Sequence, residues 1–229
     1  MSPIANMFDR ISPKYDRLNH LLSLNIDKVW RRRTAKVVSK SQPKTILDLA
    51  TGTADLAIAL AKRNPQAHII GADISEKMLE IGQAKIAKQG LEKQIELQRG
   101  DAAALPFGNN TFDAVTVAFG VRNFEHLERG LSEIQRVLKP NAPLAILEFS
   151  MPERFPIKQV YRLYFKLILP KIGKWVSKDT SAYTYLPESV ERFPKPTDFL
   201  RTLSDNGFHE GTAQQLCFGI ATLYSTSKM

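Results

Sequence analysis

Cysteine is almost absent: Cys217 is the single one among 229 residues. An internal disulfide framework and a multi-cysteine metal site are therefore excluded, and the scarcity fits a reducing, cytoplasmic setting. The histidines His20, His68, His126 and His209 are scattered without metal-ligand spacing, so no metal is expected. Long apolar runs are missing too. Asp9 and Arg10 interrupt the first residues before a secretory apolar stretch could form. The longest candidate for a membrane span, Val160 to Ile172, contains Arg162, Lys166 and Lys171 and is too short to cross a bilayer. A soluble or peripheral protein is the expectation. Negative charge is in deficit, with 23 Asp and Glu against 32 Lys and Arg, a net charge of +9. That balance favours an anionic partner without choosing among nucleic acid, an acidic lipid surface and a phosphorylated or carboxylated ligand. A dinucleotide fingerprint is lacking as well: from Gly52 the sequence runs G-T-A-D-L-A where G-x-G-x-x-G would be needed.

What is present is an ordinary globular composition, 43% apolar and 24% charged, in a length that suits one domain spanning residues 1–229. From about Lys14 to Lys40 the pattern reads as two helices, the second with Ile26, Val29, Trp30 and Val37 on its apolar face. Beyond Pro43 the rhythm changes to strands alternating with helices. Thr45–Leu49 is a short apolar strand, followed by the turn Thr51-Gly52-Thr53 and a helix from Asp55. Ala67–Asp73 is a second strand, and Ser75 can cap the helix carrying Met78, Leu79, Gly82 and Ile86. Ile95–Arg99, Phe112–Ala118 and Leu144–Phe149 are three more strands, with a helix striped by Leu127, Leu131, Ile134 and Leu138 before the last of them. Residues 151–195 break the pattern as an insertion or lid. A helix over about 197–206 and two strands over about 208–216 and 218–226 close the chain. Such alternation predicts an α/β fold with a mostly parallel sheet.

In an open α/β sheet the ligand lies outside the carboxyl ends of the strands, so the residues after each strand carry the functional information. Here they are polar: Asp48 and Thr51–Asp55 after the first strand, Asp73 after the second, Asp101 after the third, and Phe119-Gly-Val-Arg-Asn123 after the fourth. Asp55 places a negative charge where a phosphate would sit, which suits a ligand with a cationic, amino-acid-like end. Asp73 can accept from both hydroxyls of a ribose, and Asp101 from an exocyclic adenine amine. A lone glycine turn or a capping Asp is common for structural reasons alone. Three acidic or polar strand ends in consecutive βα units point instead to adenosine with a cationic amino-acid tail, which describes S-adenosylmethionine.

Four motifs carry a family resemblance over essentially the whole chain from Met7. They are Tyr15-Asp16-x-x-Asn19-x-x-Leu22-Ser23 with Trp30, Asp48-Leu-Ala-Thr-Gly-Thr-Ala-Asp55, Phe119–Asn123, and Arg136–Pro140 through Glu148-Phe-Ser150. Together they resemble the ubiquinone/menaquinone biosynthesis C-methyltransferases. The resemblance implies a Rossmann-like, seven-stranded class I S-adenosylmethionine-dependent methyltransferase fold, with an N-terminal helical cap (1–40) and a helical insertion after strand five. It implies cofactor contacts at Gly52, Thr53, Asp73, Asp101 and Ala102. It also implies substrate contacts at Tyr15 and at Tyr183, in the motif Tyr183–Ser189, and a lipophilic quinol as acceptor: demethylmenaquinol, or alternatively a benzoquinol precursor of ubiquinone. Departures from the family pattern are Ala54 for Gly, Asp101 for Asn, Ala118 for Ser, Asn141-Ala-Pro143 for a glycine-rich turn, and Asp27 where many members have His.

A ring carbon is a poor nucleophile until a neighbouring hydroxyl ionises, and a phenol near pKa 10 is about one-thousandth phenolate at neutral pH. Arg122 is assigned to stabilising that phenolate and Asn123 to orienting the hydroxyl. The base is His126 or a water held by Asn123 and Tyr15. Residues 155–175 mix aromatic and aliphatic side chains with Lys158, Arg162, Lys166, Lys171 and Lys174, a composition for an anionic lipid interface or for a lid packed on the sheet or on a second subunit. Peripheral contact with an anionic membrane and a homodimer are thus both open. No nucleic-acid partner is expected: the Asn/Asp-Pro-Pro-aromatic tetrad of adenine amino methylation is missing after the fourth strand, and Cys217, the only thiol for cytosine carbon methylation, is read into a late strand away from the active edge. A nucleotide-linked oxidoreductase lacks its fingerprint, and a non-enzymatic interaction protein would have no use for the motif set.

Overall fold

A computed structural model of the chain describes residues 3–23, 25–163 and 181–229. Two helices, α1 (Pro3–Leu22) and α2 (Ile26–Val38), precede β1 (Thr45–Leu49), α3 (Asp55–Arg63), β2 (His68–Asp73), α4 (Glu76–Lys88), β3 (Ile95–Arg99), β4 (Ala114–Ala118), α5 (Leu127–Val137) and β5 (Pro143–Phe149). Then follow α6 (Ile157–Leu163), α7 (Ser181–Arg192), α8 (Pro196–Asp205), β6 (Thr212–Leu216) and β7 (Ala221–Ser227).

The strands form one seven-stranded sheet in the order β3-β2-β1-β4-β5-β7-β6. β1 to β5 pair in parallel, whereas β7 is antiparallel to both of its neighbours, β5 and β6. The order reverses between β1 and β4, which creates the crevice where ligands of such sheets bind. The central strands are buried on both faces. One face packs Trp30 and Val38 of α2, Leu56 and Leu60 of α3 and Ile86 of α4, and the other packs Leu131, Ile134 and Val137 of α5 with Phe199 and Leu203 of α8. The sheet, its alternation and its closing hairpin are those expected from the sequence.

Three local expectations are corrected. α1 begins at Pro3, not near Lys14, and runs through Pro13. The inward side of α2 carries Asp27, Trp30, Arg31, Thr34, Ala35 and Val38, while Ile26 and Val29 face outward. The charged pair turns inward because it is satisfied there. Asp27 binds the guanidinium of Arg31 and accepts from Ser23 Oγ at 2.6 Å, and its Oδ2 lies 2.9 Å from His20 Nδ1. Burial alone would raise its pKa, but the Ser23 hydrogen bond and the charges of Arg31 and His20 hold the carboxyl below its ordinary value. Finally, Cys217 is not in a strand. It starts a 3₁₀ turn (Cys217–Gly219) at the end of β6, and because β6 runs with β5 this turn lies at the carboxyl edge. There Trp30 Nε1 donates to Cys217 Sγ at 3.3 Å.

Candidate functional site

The turn after β1 is built from left-handed backbone: Ala50 (φ 54°), Gly52 (φ 56°) and Ala54 (φ 65°), with Phe119 (φ 58°) facing them after β4. Left-handed conformation costs a non-glycine residue roughly 1–2 kcal/mol, and strain of this kind gathers at functional sites. Gly120 is required here for another reason, since a Cβ on it would meet the Ala50 Cβ at 2.5 Å. Beneath the turn, Asp48 is fully buried and accepts from Thr51 Oγ1 and Thr116 Oγ1, both at 2.7 Å. Burial outweighs these bonds and raises its pKa to about 6.

Asp73 stands at the end of β2. Its Oδ2 accepts from the Gly52 N–H at 2.8 Å and its Oδ1 from the Ser75 N–H at 2.9 Å. Burial pushes its pKa up against those bonds. Each oxygen keeps a second lone pair, so the carboxylate can still accept from a diol. The cleft above it has an empty volume of ≈ 930 Å³ including its mouth, and it is lined by Gly52, Asp73, Ile74, Asp101, Ala102, Phe119 and Asn123. Ile4 and Phe8 of α1 close it from above. That volume, with the carboxylates of Asp73 and Asp101 among largely apolar walls, fits a nucleoside with a short tail. Four of the five expected cofactor residues, Gly52, Asp73, Asp101 and Ala102, therefore meet in one cleft. Asp101 is exposed there, with Oδ1 accepting from the Ala103 N–H at 2.8 Å.

Thr53 is the exception. Its buried hydroxyl donates to Asp16 Oδ1 at 2.5 Å and accepts from Lys85 Nζ at 3.1 Å, and it does not line the cleft. Lys85 also binds Asp16 Oδ2 at 2.9 Å and pairs with Asp55. Asp55 has a further neighbour in His20 Nε2, 3.6 Å away. The negative charge expected to greet a cationic ligand end is thus already balanced inside the protein.

Arg122 departs from its expected role as well. Its Nη1 pairs with Glu148 Oε1 at 2.5 Å and donates to the Phe119 carbonyl at 2.7 Å, and its Nε donates to Ser189 Oγ at 3.3 Å. The Arg122 and Glu148 side chains are 6% and 0% exposed. A guanidinium neutralised by a buried carboxylate has no net charge to lend to a phenolate, so Arg122 fixes the Phe119–Asn123 loop instead. Asn123 does line the cleft, donating from Nδ2 to the Phe119 carbonyl at 3.3 Å and accepting at Oδ1 from Tyr185 Oη at 2.9 Å. His126 lines it too. Tyr15 lies in α1 and Tyr183 in α7, but their side chains fall outside the described residues, as does the insertion between Leu163 and Ser181. Sequence reasoning missed Glu148 as the partner of Arg122, although a carboxylate inside the apolar strand Pro143–Phe149 signals a buried cation nearby. Tyr185 belongs to the motif Tyr183–Ser189 that the resemblance assigned to the substrate, and its bond to Asn123 is the contact the structure adds.

Among the described residues no helix is long and apolar enough to cross a membrane. His20, Asp27 and Asp55 could geometrically surround a metal ion, but Arg31 and Lys85 already compensate their charge.

Comparison with known proteins places the site in context. Residues 2–228 match the ubiE/COQ5 methyltransferase family. A demethylmenaquinone methyltransferase of Bacteroides fragilis is 46% identical over 98% of this chain and 92% of its own length. One from Thermus thermophilus is 45% identical over 95% of this chain and 98% of its own. A ubiquinone/menaquinone biosynthesis C-methyltransferase of Geobacter sulfurreducens is 42% identical over 98% and 88%. Among solved structures, a SAM dependent methyltransferase from Aquifex aeolicus aligns with TM-score 0.60 at 21% identity, covering 86% of this chain and 88% of that one. The [4+2]-cyclase SpnF aligns with TM-score 0.65 at 18% identity over 86% and 81%. One fold thus serves different reactions, and the fold alone does not name the chemistry.

Proposed function

This chain belongs to the ubiE/COQ5 methyltransferase family, and from that premise we propose that it transfers the methyl group of S-adenosylmethionine to a ring carbon of demethylmenaquinol, giving menaquinol. The observation that carries the reading is the near full-length similarity to demethylmenaquinone methyltransferases at 42–46% identity, in a chain whose cleft keeps the Gly52–Asp73 pair. S-adenosylmethionine supplies an electrophilic methyl when bound. The protein's own part is to hold, orient and deprotonate.

Asp73 would accept from the ribose hydroxyls, and Asp101 with Ala102 would hold the adenine. Arg122 and Glu148 lock the loop from Phe119 to Asn123 against the end of β5, which sets the position of Asn123. The second N–H of the Asn123 amide donates to the quinol oxygen, while the Tyr185 hydroxyl holds the other end of the amide. His126, in the same cleft, takes the proton of the ring hydroxyl, and charge develops on the ring carbon. Once that carbon holds the methyl, its own hydrogen leaves as a proton and the oxygen is reprotonated, which restores the aromatic quinol with one proton released overall. Ile4 and Phe8 exclude water above the reacting groups.

A second reading, methylation of a benzoquinol precursor of ubiquinone, is favoured by the name of the Geobacter relative. Incubation with a labelled methyl donor and, side by side, reduced demethylmenaquinone, a reduced ubiquinone precursor and transfer RNA tests both. Label in the naphthoquinol is expected. Label confined to the benzoquinol would select the second reading, and label in RNA would overturn both.

A further inference from the structure

The edge of the sheet that holds the cleft also carries exposed apolar side chains beside cations that form no ion pair among the described residues. α2 starts at this edge, and its outward surface divides along the 100° per residue of a helix. Lys28 and Arg32 point toward α3, while Ile26 and Val29 point the other way, alongside Trp30 and its bond to Cys217. Next to Cys217, Phe218 is 75% exposed and held at φ 62°. The turn that carries it is anchored: Ser150 at the end of β5 donates from Oγ to the Gly219 carbonyl at 2.9 Å. The chain leaving β5 passes the same turn, with Pro152 Cα 3.5 Å from where a Gly219 Cβ would lie, and leads to Phe155, 80% exposed.

On the other flank of α2 a groove runs between α2 and α3, lined by Lys28, Arg32, Lys62 and Arg63. None of these four is in an ion pair among the described residues. The one carboxylate lining the groove, Asp55, is taken by Lys85, and Arg31 at its floor is taken by Asp27.

We propose that this face, the outward side of α2 with the Phe218 turn and Phe155, docks on an anionic lipid bilayer, with the Lys28–Arg32–Lys62–Arg63 groove receiving phosphate headgroups. The proposal rests on the reading that the acceptor is a lipophilic quinol, which resides in a membrane that no helix of the described residues can cross. Aromatic and aliphatic tips flanked by basic residues are what an interfacial surface presents. The location matters as well: the Phe218 turn and the start of α2 lie at the carboxyl edge of the sheet, the edge that holds the cleft, and Trp30 of α2 packs on the cleft residue Phe119 with ring centroids 6.1 Å apart.

Flotation of the full chain with phosphatidylcholine vesicles, with and without phosphatidylglycerol, tests the proposal. Binding is expected only to the anionic vesicles and should fall as salt rises, because surface attraction is screened over about 8 Å at physiological ionic strength. The double variant Lys28→Glu/Arg32→Glu should bind at least tenfold more weakly, and Phe218→Ser should also weaken binding. A control with the same change in net charge at the opposite edge, Lys44→Glu/Lys93→Glu, should bind as the unaltered chain does. The proposal is overturned by equal binding to neutral and anionic vesicles, by equal loss in the two double variants, or by transfer RNA competing all bound protein off the vesicles. Turnover of a short-chain, water-soluble demethylnaphthoquinol, measured alongside, should be unchanged in the vesicle-binding variants. If the unaltered chain fails on that substrate, the functional reading falls while the vesicle result stands by itself.

Discussion

At the residue scale the Arg122–Glu148 pair and Asp73 carry different burdens. Removing one partner of a buried ion pair leaves an uncompensated charge and typically costs about 3–5 kcal/mol. Glu148→Ala and Arg122→Ala are each expected to destabilise by that amount in urea unfolding, and the double variant by clearly less than the sum. A stable Arg122→Ala chain that had lost turnover would return Arg122 to direct contact with the quinol. Asp73→Asn keeps the shape but replaces an ionised acceptor, so S-adenosylmethionine affinity measured by calorimetry should drop at least tenfold, given about 1.5–3 kcal/mol for hydrogen bonds to a charged group. Because burial raises its pKa, the unaltered chain should lose affinity on acidification before an ordinary carboxylate would protonate. Asp73 was legible in the sequence as an acidic residue ending the second strand, one strand from the switch point. The Arg122–Glu148 pair was not: 26 residues and a whole helix separate its members, and only the pairing of β4 with β5 brings them together.

At the scale of elements, α1 is the cover of the cleft and is tied down by polar contacts along its length. Asp9 Oδ1 accepts from Ser75 Oγ at 2.5 Å, Asp16 binds Lys85 and Thr53, and His20 reaches Asp27 and Asp55. Lys85 is the hub. Lys85→Met should leave Asp16 and Asp55 facing each other without their cation and loosen α1. Amide exchange across residues 3–22 is expected to accelerate by about tenfold, equivalent to ~1.4 kcal/mol of opening free energy, with the strands unaffected. Unchanged exchange would mean that apolar contacts such as that of the buried Met7 hold the helix by themselves. The extent of this cover was only half legible. Pro13 reads as a helix start because it lacks an N–H, and so it hid the ten residues before it. The hydrophobic count misjudged α2 in the opposite direction: it took Ile26 and Val29 for core, because nothing local says that Asp27 will find Arg31, Ser23 and His20.

For the whole molecule, the alternation of apolar strands and amphipathic helices was enough to read the parallel sheet, whose order then follows from few allowed connections. The electrostatics of its centre were not readable, because burial is a property of the assembled sheet. Asp48 and Asp113 show the difference. Asp113, at the amino edge, is bonded to Lys139 Nζ at 2.7 Å and to the Thr45 N–H at 2.9 Å; these bonds outweigh the desolvation that would raise its pKa and lower it to about 2. Asp48, inside the sheet, is raised to about 6 from an ordinary 3.8. The signs are opposite. The depressed Asp113 contributes stability that is present above pH 4 and lost as pH falls toward 2. The raised Asp48 contributes stability that is full below pH 4 and lost as pH rises through 6, because the folded chain must then ionise a buried carboxyl. Two pKa units correspond to about 3 kcal/mol. Asp48→Asn, which keeps the shape and removes the charge, should therefore raise unfolding free energy at pH 8 by on the order of 3 kcal/mol, by less at pH 5, and hardly at all at pH 3.5. Urea titrations of both chains at these three pH values decide it. A gain that does not vary with pH would place the Asp48 titration outside the range that folding senses, and a loss at pH 8 would mean that its charge is needed by the two threonine hydroxyls that bind it.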